Sequence, residues 1–129
     1  MVDDEGVDLV FHRRDGVATL SVQVKARMSD SKGVQDEGMV AFVSSQTFRK
    51  RADLDILFVA VDIARGAVLK AWLIPSADFA EVAGKPDARG RLHFVASMME
   101  GSQDRWANRR LDADQLAPAI LARLKELEA

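Results

Sequence analysis

A chain of 129 residues with 48% hydrophobic and 29% charged side chains has the size and balance of one globular domain over residues 1–129; two cores would each be too small. It has no cysteine, hence no disulfide or thiolate metal site. No apolar run approaches the roughly 20 residues of a membrane span, and the acidic start, MVDDEG, is the opposite of a signal peptide, so a cytoplasmic protein is the expectation. The 18 basic and 20 acidic residues leave a net charge of −2, so any binding to nucleic acid must rest on local patches.

Residues 1–6 are polar and expected to fray. Val7 to Arg27 (VDLVFHRRDGVATLSVQVKAR) reads as two strands joined by Asp15-Gly16, a pair suited to the φ > 0 positions of a tight hairpin turn. Ser29 to Gly38 is a polar loop. Met39 to Val43 fits a strand, and Ser44 and Ser45 offer a cap for a short helix from Gln46 to Arg51. Leu54 to Ile63 is almost continuously apolar, the pattern of a central strand covered on both faces. A turn at Ala64-Arg65-Gly66 leads to a strand from Ala67 to Ile74, ended by Pro75. Ser76 is placed to cap a short helix, SADFAEVA, that stops at Gly84. After a loop from Lys85 to Gly90, Arg91 to Ala96 alternates as a last strand.

The C-terminal part is helical. Asp112 and Gln115 form a capping-box pattern, with Leu111 and Leu116 as a hydrophobic staple. Leu116, Ile120, Leu124 and Leu127, with Ala117 and Leu121, mark an apolar stripe. Pro118 would remove a hydrogen bond in a helix that began at Asp112. Either the helix kinks there, or Asp114 is the cap and Pro118 falls in the first turn. The sum is an α/β or α+β fold: a mixed sheet of about five strands flanked by helices.

The hairpin carries the candidate chemistry. With Asp15-Gly16 as its loop, Phe11 faces Leu20 and Asp8 faces Gln23, and side chains alternate between faces. Val7, Leu9 and Phe11 then share an apolar face with Ala18, Leu20, Val22 and Val24. Asp8, Val10 and His12 share the other face with Thr19, Ser21, Gln23 and Lys25, where opposed pairs sit about 4.5–5.5 Å apart. A carboxylate (Asp8), an amide oxygen (Gln23) and a main-chain carbonyl (Val24) are hard oxygen donors suited to Mg²⁺. Lys25 stands where an ammonium would hold an attacking water or stabilise a phosphoryl group. The same residues also fit a solvated face with an Asp8–Gln23 hydrogen bond and a loose Asp8–Lys25 pair.

Asp8 and, after fourteen intervening residues, Gln23-Val24-Lys25 resemble the D…(E/Q)xK signature of the PD-(D/E)XK nuclease superfamily. The order of GVDL, VQVK, LFVAVD and WLIPSADF is similar to an uncharacterised bacterial family within it, over roughly Gly6 to Leu127. The resemblance implies a restriction-endonuclease-like core, dependence on Mg²⁺ or Mn²⁺, and hydrolysis of phosphodiester bonds in nucleic acid, DNA ahead of RNA. It assigns metal binding to Asp8 and Gln23 and a catalytic role to Lys25. Two departures stand out. Gln23 replaces the usual Glu, and the family's leading helix, often a source of another Glu, has no counterpart in the six residues before Val7. Asp3, Asp4 or Glu5 would have to substitute, or the chain is a fragment, or it pairs as a homodimer or with a partner subunit. The rival expectation is therefore a catalytically inactive nuclease-fold module that serves as an interaction or nucleic-acid-binding subunit.

The remaining polar features have bland readings. Arg13-Arg14, Arg49-Lys50-Arg51 and Arg109-Arg110 could touch phosphates, but each is short enough to be a solvated charged face. Trp72, on a strand, is expected to pack under a helix; Trp106 suits either a core or a base-stacking platform.

Overall fold

A computed structural model of the chain describes residues 7–30, 34–35 and 38–128. The fold is α+β. A mixed sheet has the order β1 (Leu9–His12), β2 (Thr19–Met28), β5 (Leu54–Asp62), β6 (Ala67–Pro75) and β8 (Arg110–Leu111). A second, antiparallel sheet pairs β3 (Val34–Gln35), β4 (Gly38–Ser44) and β7 (Arg91–Ser97). Two helices complete it, α1 (Ser76–Ala83) and α2 (Leu116–Glu128).

β5 is the central strand, as its apolarity predicts. It pairs parallel with β2 and antiparallel with β6. Its alternating side chains feed two cores. Ile56, Phe58 and Ala60 join Trp72 and Ile74 beneath the second sheet, where Phe58 stacks on Phe94 and Trp72 meets Phe94 edge-on at 5.3 Å. Leu57 and Val59 join Leu20, Val22, Ala71 and Leu73 beneath α2. Trp72 and Trp106 are both buried in the first core, which settles Trp106 as a packing residue.

The hairpin register follows the sequence arithmetic, with Leu9 opposite Val22 and Phe11 opposite Leu20. Its loop does not. Pairing ends at His12 and Thr19, and the reversal is a turn in which the Gly16 amide donates to the Arg13 carbonyl at 3.1 Å. Gly16 is not among the glycines at positive φ. A Cβ on it would meet the far end of the Glu128 side chain, which would have to shift.

Other expectations are corrected. No helix follows β4: Ser45 Oγ donates to the Gly90 carbonyl, and the chain makes a single turn in which the Phe48 amide donates to the Ser44 carbonyl. Ser76 does not cap α1. Its hydroxyl accepts from the Arg51 amide and donates to the Arg51 carbonyl, and Pro75 occupies the cap position. The expected loop from Ser29 to Gly38 includes β3; residues 31–33 and 36–37, like the N-terminal Asp3, Asp4 and Glu5, lie outside the described residues.

At the C-terminal helix Asp112, and not Asp114, is the cap, yet Pro118 still falls in a first turn. The Asp112 amide donates to Gln115 Oε1 at 2.8 Å, and this box starts a 3-10 turn (Ala113–Gln115) that continues as α2. Pro118 thus falls in the first turn of α2, where its missing N–H has no intrahelical acceptor to lose. Leu116, Ile120, Leu124 and Leu127 pack on the sheet as the stripe predicts, but Ala117 and Leu121 face solvent and Ala119 takes their place. No helix among the described residues is long and apolar enough to cross a membrane.

Candidate functional site

Asp8 precedes the first residue of β1, where the ladder with β2 is ending. Its amide donates to the Val22 carbonyl at 2.9 Å, and its own carboxylate then replaces the next ladder acceptor: Oδ2 receives the Val24 amide at 2.7 Å. An antiparallel strand residue turns its N–H and C=O to the same side. The Val24 carbonyl therefore points to the β1 side of β2, the side on which Asp8 sits. Asp8 is exposed, and its Oδ1 accepts no bond among the described residues.

Gln23, Lys25 and Arg27 follow one another on the face of β2 turned towards the second sheet, beside Ile56, Phe58 and Ala60 of β5. Gln23 is only 4% exposed, and its side-chain amide has no hydrogen-bond partner among the described residues. Its amide nitrogen and oxygen are nevertheless not among the side-chain atoms that lie buried without a partner, so they keep contact with solvent. Lys25 is half-buried and forms no ion pair among the described residues, and Arg27 reaches only the Ala26 carbonyl, at 2.8 Å.

Neither the Asp8–Gln23 hydrogen bond nor the Asp8–Lys25 pair of the bland reading is formed. Asp8 meets the Val24 amide at the end of the β1–β2 ladder, with Gln23 preceding Val24 on β2, and neither Lys25 nor Arg27 pairs with a carboxylate among the described residues. The donor set of Asp8, Gln23 and the Val24 carbonyl suits a largely hydrated Mg²⁺ or Mn²⁺: all the donors are oxygen and one is charged. Among the described residues no group of three His, Asp or Glu side chains gathers here or elsewhere.

The basic runs are largely spent within the fold. Arg13 bonds Glu128 at 3.1 Å, Arg51 bonds Asp53 at 3.0 Å, Arg109 bonds Asp78 at 2.7 Å, and Arg110 holds the Ser97 carbonyl at 3.0 Å.

A second polar cluster escaped the sequence reading. Asp87 lies within 2.7 Å of His93 Nε2, and it accepts the Arg91 and Arg89 amides as well as Arg91 Nε. The Arg91 guanidinium lies over the Phe42 ring, and His93 meets that ring edge-on. The signal was Asp87 three residues before Gly90, the ends of a common β-turn, which the Gly90 amide closes on the Asp87 carbonyl. These bonds, that of His93 first, hold the Asp87 carboxyl well below its ordinary value of 3.8. A depressed carboxyl contributes stability above its unfolded value and loses it only as pH falls through the lower folded one. Its carboxyl carbon resonance should therefore hold steady between about pH 7 and about pH 3; a midpoint near 3.8 would refute the cluster.

No protein-family model, curated protein or solved structure matches this chain.

Proposed function

We propose that this domain is a divalent-metal-dependent phosphodiesterase of the nuclease class, with DNA the first substrate to test. Asp8, Gln23 and the Val24 carbonyl would hold Mg²⁺ or Mn²⁺, and Lys25 would act on the phosphate. The observation that carries this reading is the exposed Asp8 carboxylate, held by the Val24 amide and left with a spare oxygen on the side of β2 to which the Val24 carbonyl points. When bound, the cation would polarise a phosphate oxygen. The chain's own residues have separate tasks. The Val24 amide fixes the Asp8 carboxylate in place, and Lys25, with no carboxylate partner among the described residues, would offer positive charge to a phosphoryl group.

The test is calorimetric titration of Mg²⁺ and Mn²⁺ into wild type and Asp8→Asn, with thermal melts in parallel. Asn keeps an oxygen to accept the Val24 amide while it removes the charge, so the fold should persist and the binding heat should vanish. A wild-type protein that binds neither ion would overturn the reading. It would favour the second one, an inactive nuclease-fold module, which the neutral Gln23 and the lack of a three-ligand group among the described residues already support.

A further inference from the structure

The second sheet has an open edge. Its strand order is β3, β4, β7, and the described residues place no strand beyond β7, which runs for seven residues. The direction of its main-chain groups follows from one residue. The Arg91 amide donates to Asp87 Oδ1 and its carbonyl accepts from the Asp87 amide, both at 2.9 Å, so Arg91 points away from β4. Alternation with period two turns His93, Val95 and Ser97 the same way. Both ends of this row are occupied: Arg91 by Asp87, and the Ser97 carbonyl by Arg110 Nη1 at 3.0 Å. Between them the N–H and C=O groups of His93 and Val95 meet no partner among the described residues.

Beside this stretch lies a cleft of about 560 Å³. His93 and Val95 border it on one side, Val82 and Ala83 at the end of α1 and Gln103 to Trp106 on the others. The buried Trp106 and the small side chains of α1 make an apolar wall, and Val95 remains 58% exposed. The charges in the cleft do not balance. Asp104 is paired with Arg110 and His93 with Asp87, whereas Arg105 reaches only the Val82 carbonyl, at 3.4 Å, and meets no carboxylate among the described residues.

We propose that β7 is a docking edge for one extended, acidic peptide segment of a partner protein. The segment would add a strand through the main-chain groups of His93 and Val95, turn an apolar side chain to Trp106 and place a carboxylate near Arg105. Unpaired strand edges recruit extended backbone, and alternate side chains then supply specificity. The walls favour a single peptide over a second copy of this sheet, because a paired strand needs only about 4.8 Å beside β7 whereas a sheet would meet α1. This inference is independent of the metal site on the hairpin.

Amide hydrogen exchange tests the edge itself. His93 and Val95 should exchange much faster than Leu92, Phe94 and Ala96, which point to β4; equal protection along the strand would overturn the proposal. Docking is tested by fluorescence anisotropy with a labelled hexapeptide of alternating Val and Glu. Saturable micromolar binding is expected, weakened at least tenfold by Arg105→Glu and by N-methylation of alternate peptide amides. Val95→Pro should also abolish it, since Pro is tolerated at an outward-facing edge amide; the N-methylated peptide gives the same answer without altering the protein. Lack of saturation at millimolar peptide, indifference to N-methylation, or displacement of the peptide by single-stranded DNA would each sink the idea.

Discussion

Arg123→Met and Asp55→Ala are each expected to cost about 3–5 kcal/mol of folding stability, the range for leaving one partner of a buried ion pair alone. Asp55 is fully buried at the start of β5, on the face that α2 covers. Arg123 reaches it from α2 in a two-pronged contact, Nε to Oδ2 at 2.7 Å and Nη2 to Oδ1 at 2.8 Å. The guanidinium also holds Glu126 at 2.6 Å and the Ala52 carbonyl at 3.4 Å. Its bonds to Asp55 raise the already high pKa of Arg123 further, so its charge persists throughout the accessible pH range. A domain of this size has about 5–15 kcal/mol in total, so either change would lower the melting temperature by roughly 10–20 °C. The double variant Asp55→Leu/Arg123→Met discriminates between two accounts. If the penalty comes from an abandoned charge, an apolar pair should recover most of it; if the pair itself is strongly stabilising, the double variant should be the worst of the three. Chemical denaturation of the four proteins decides.

That pair also marks what was legible in the sequence. The stripe Leu116, Ile120, Leu124 and Leu127 is visible from spacing alone, but Arg123 beside it resembles a solvated cation until Asp55, 68 positions away, is seen beneath it. Elements defined by local periodicity came through: the hairpin register, the central β5, the alternation of β7 and the Asp112–Gln115 box. Errors fell where one chemical group has two competing uses. The hydroxyls of Ser45 and Ser76 look like helix caps locally, yet each is taken by a distant main-chain group, of Gly90 and of Arg51. Gly16 suits a tight turn by type, yet the turn it lies in does not use a positive φ there. The second sheet was hidden because β4 finds β7 about fifty residues later, across the whole of β5, β6 and α1. At the candidate site, the register arithmetic set Asp8 opposite Gln23, whereas the paired ladder ends at Leu9 and Val22 and the Asp8 amide donates to the Val22 carbonyl. That arithmetic could not show that Asp8 bonds the Val24 amide in the plane of the sheet, or that Gln23 lies buried instead of displayed.

Those two details set the expected outcome of mutagenesis at the hairpin. If the proposed phosphodiesterase reading holds, Lys25→Ala should lower kcat/KM for a phosphodiester substrate by roughly 10²–10³-fold, the usual loss when one group that stabilises developing charge is removed. Stability should change little, since the Lys25 ammonium has no ion-pair partner among the described residues. Lys25→Arg tests how the charge is used. A guanidinium keeps the positive charge but is a planar fork where an ammonium is compact, so partial activity is expected if Lys25 acts as a point charge on the phosphate. Asp8→Ala and Asp8→Asn should differ in stability and agree in activity. Ala strands the Val24 amide and is expected to cost about 1–2 kcal/mol; Asn restores the acceptor, yet both lack the carboxylate and should be equally inactive. If cleavage is unchanged in Lys25→Ala and in both Asp8 variants, the activity does not arise from this hairpin. If Asp8→Asn alone keeps full activity, the carboxylate serves only to hold the end of β1, and the acid that the chemistry requires lies elsewhere.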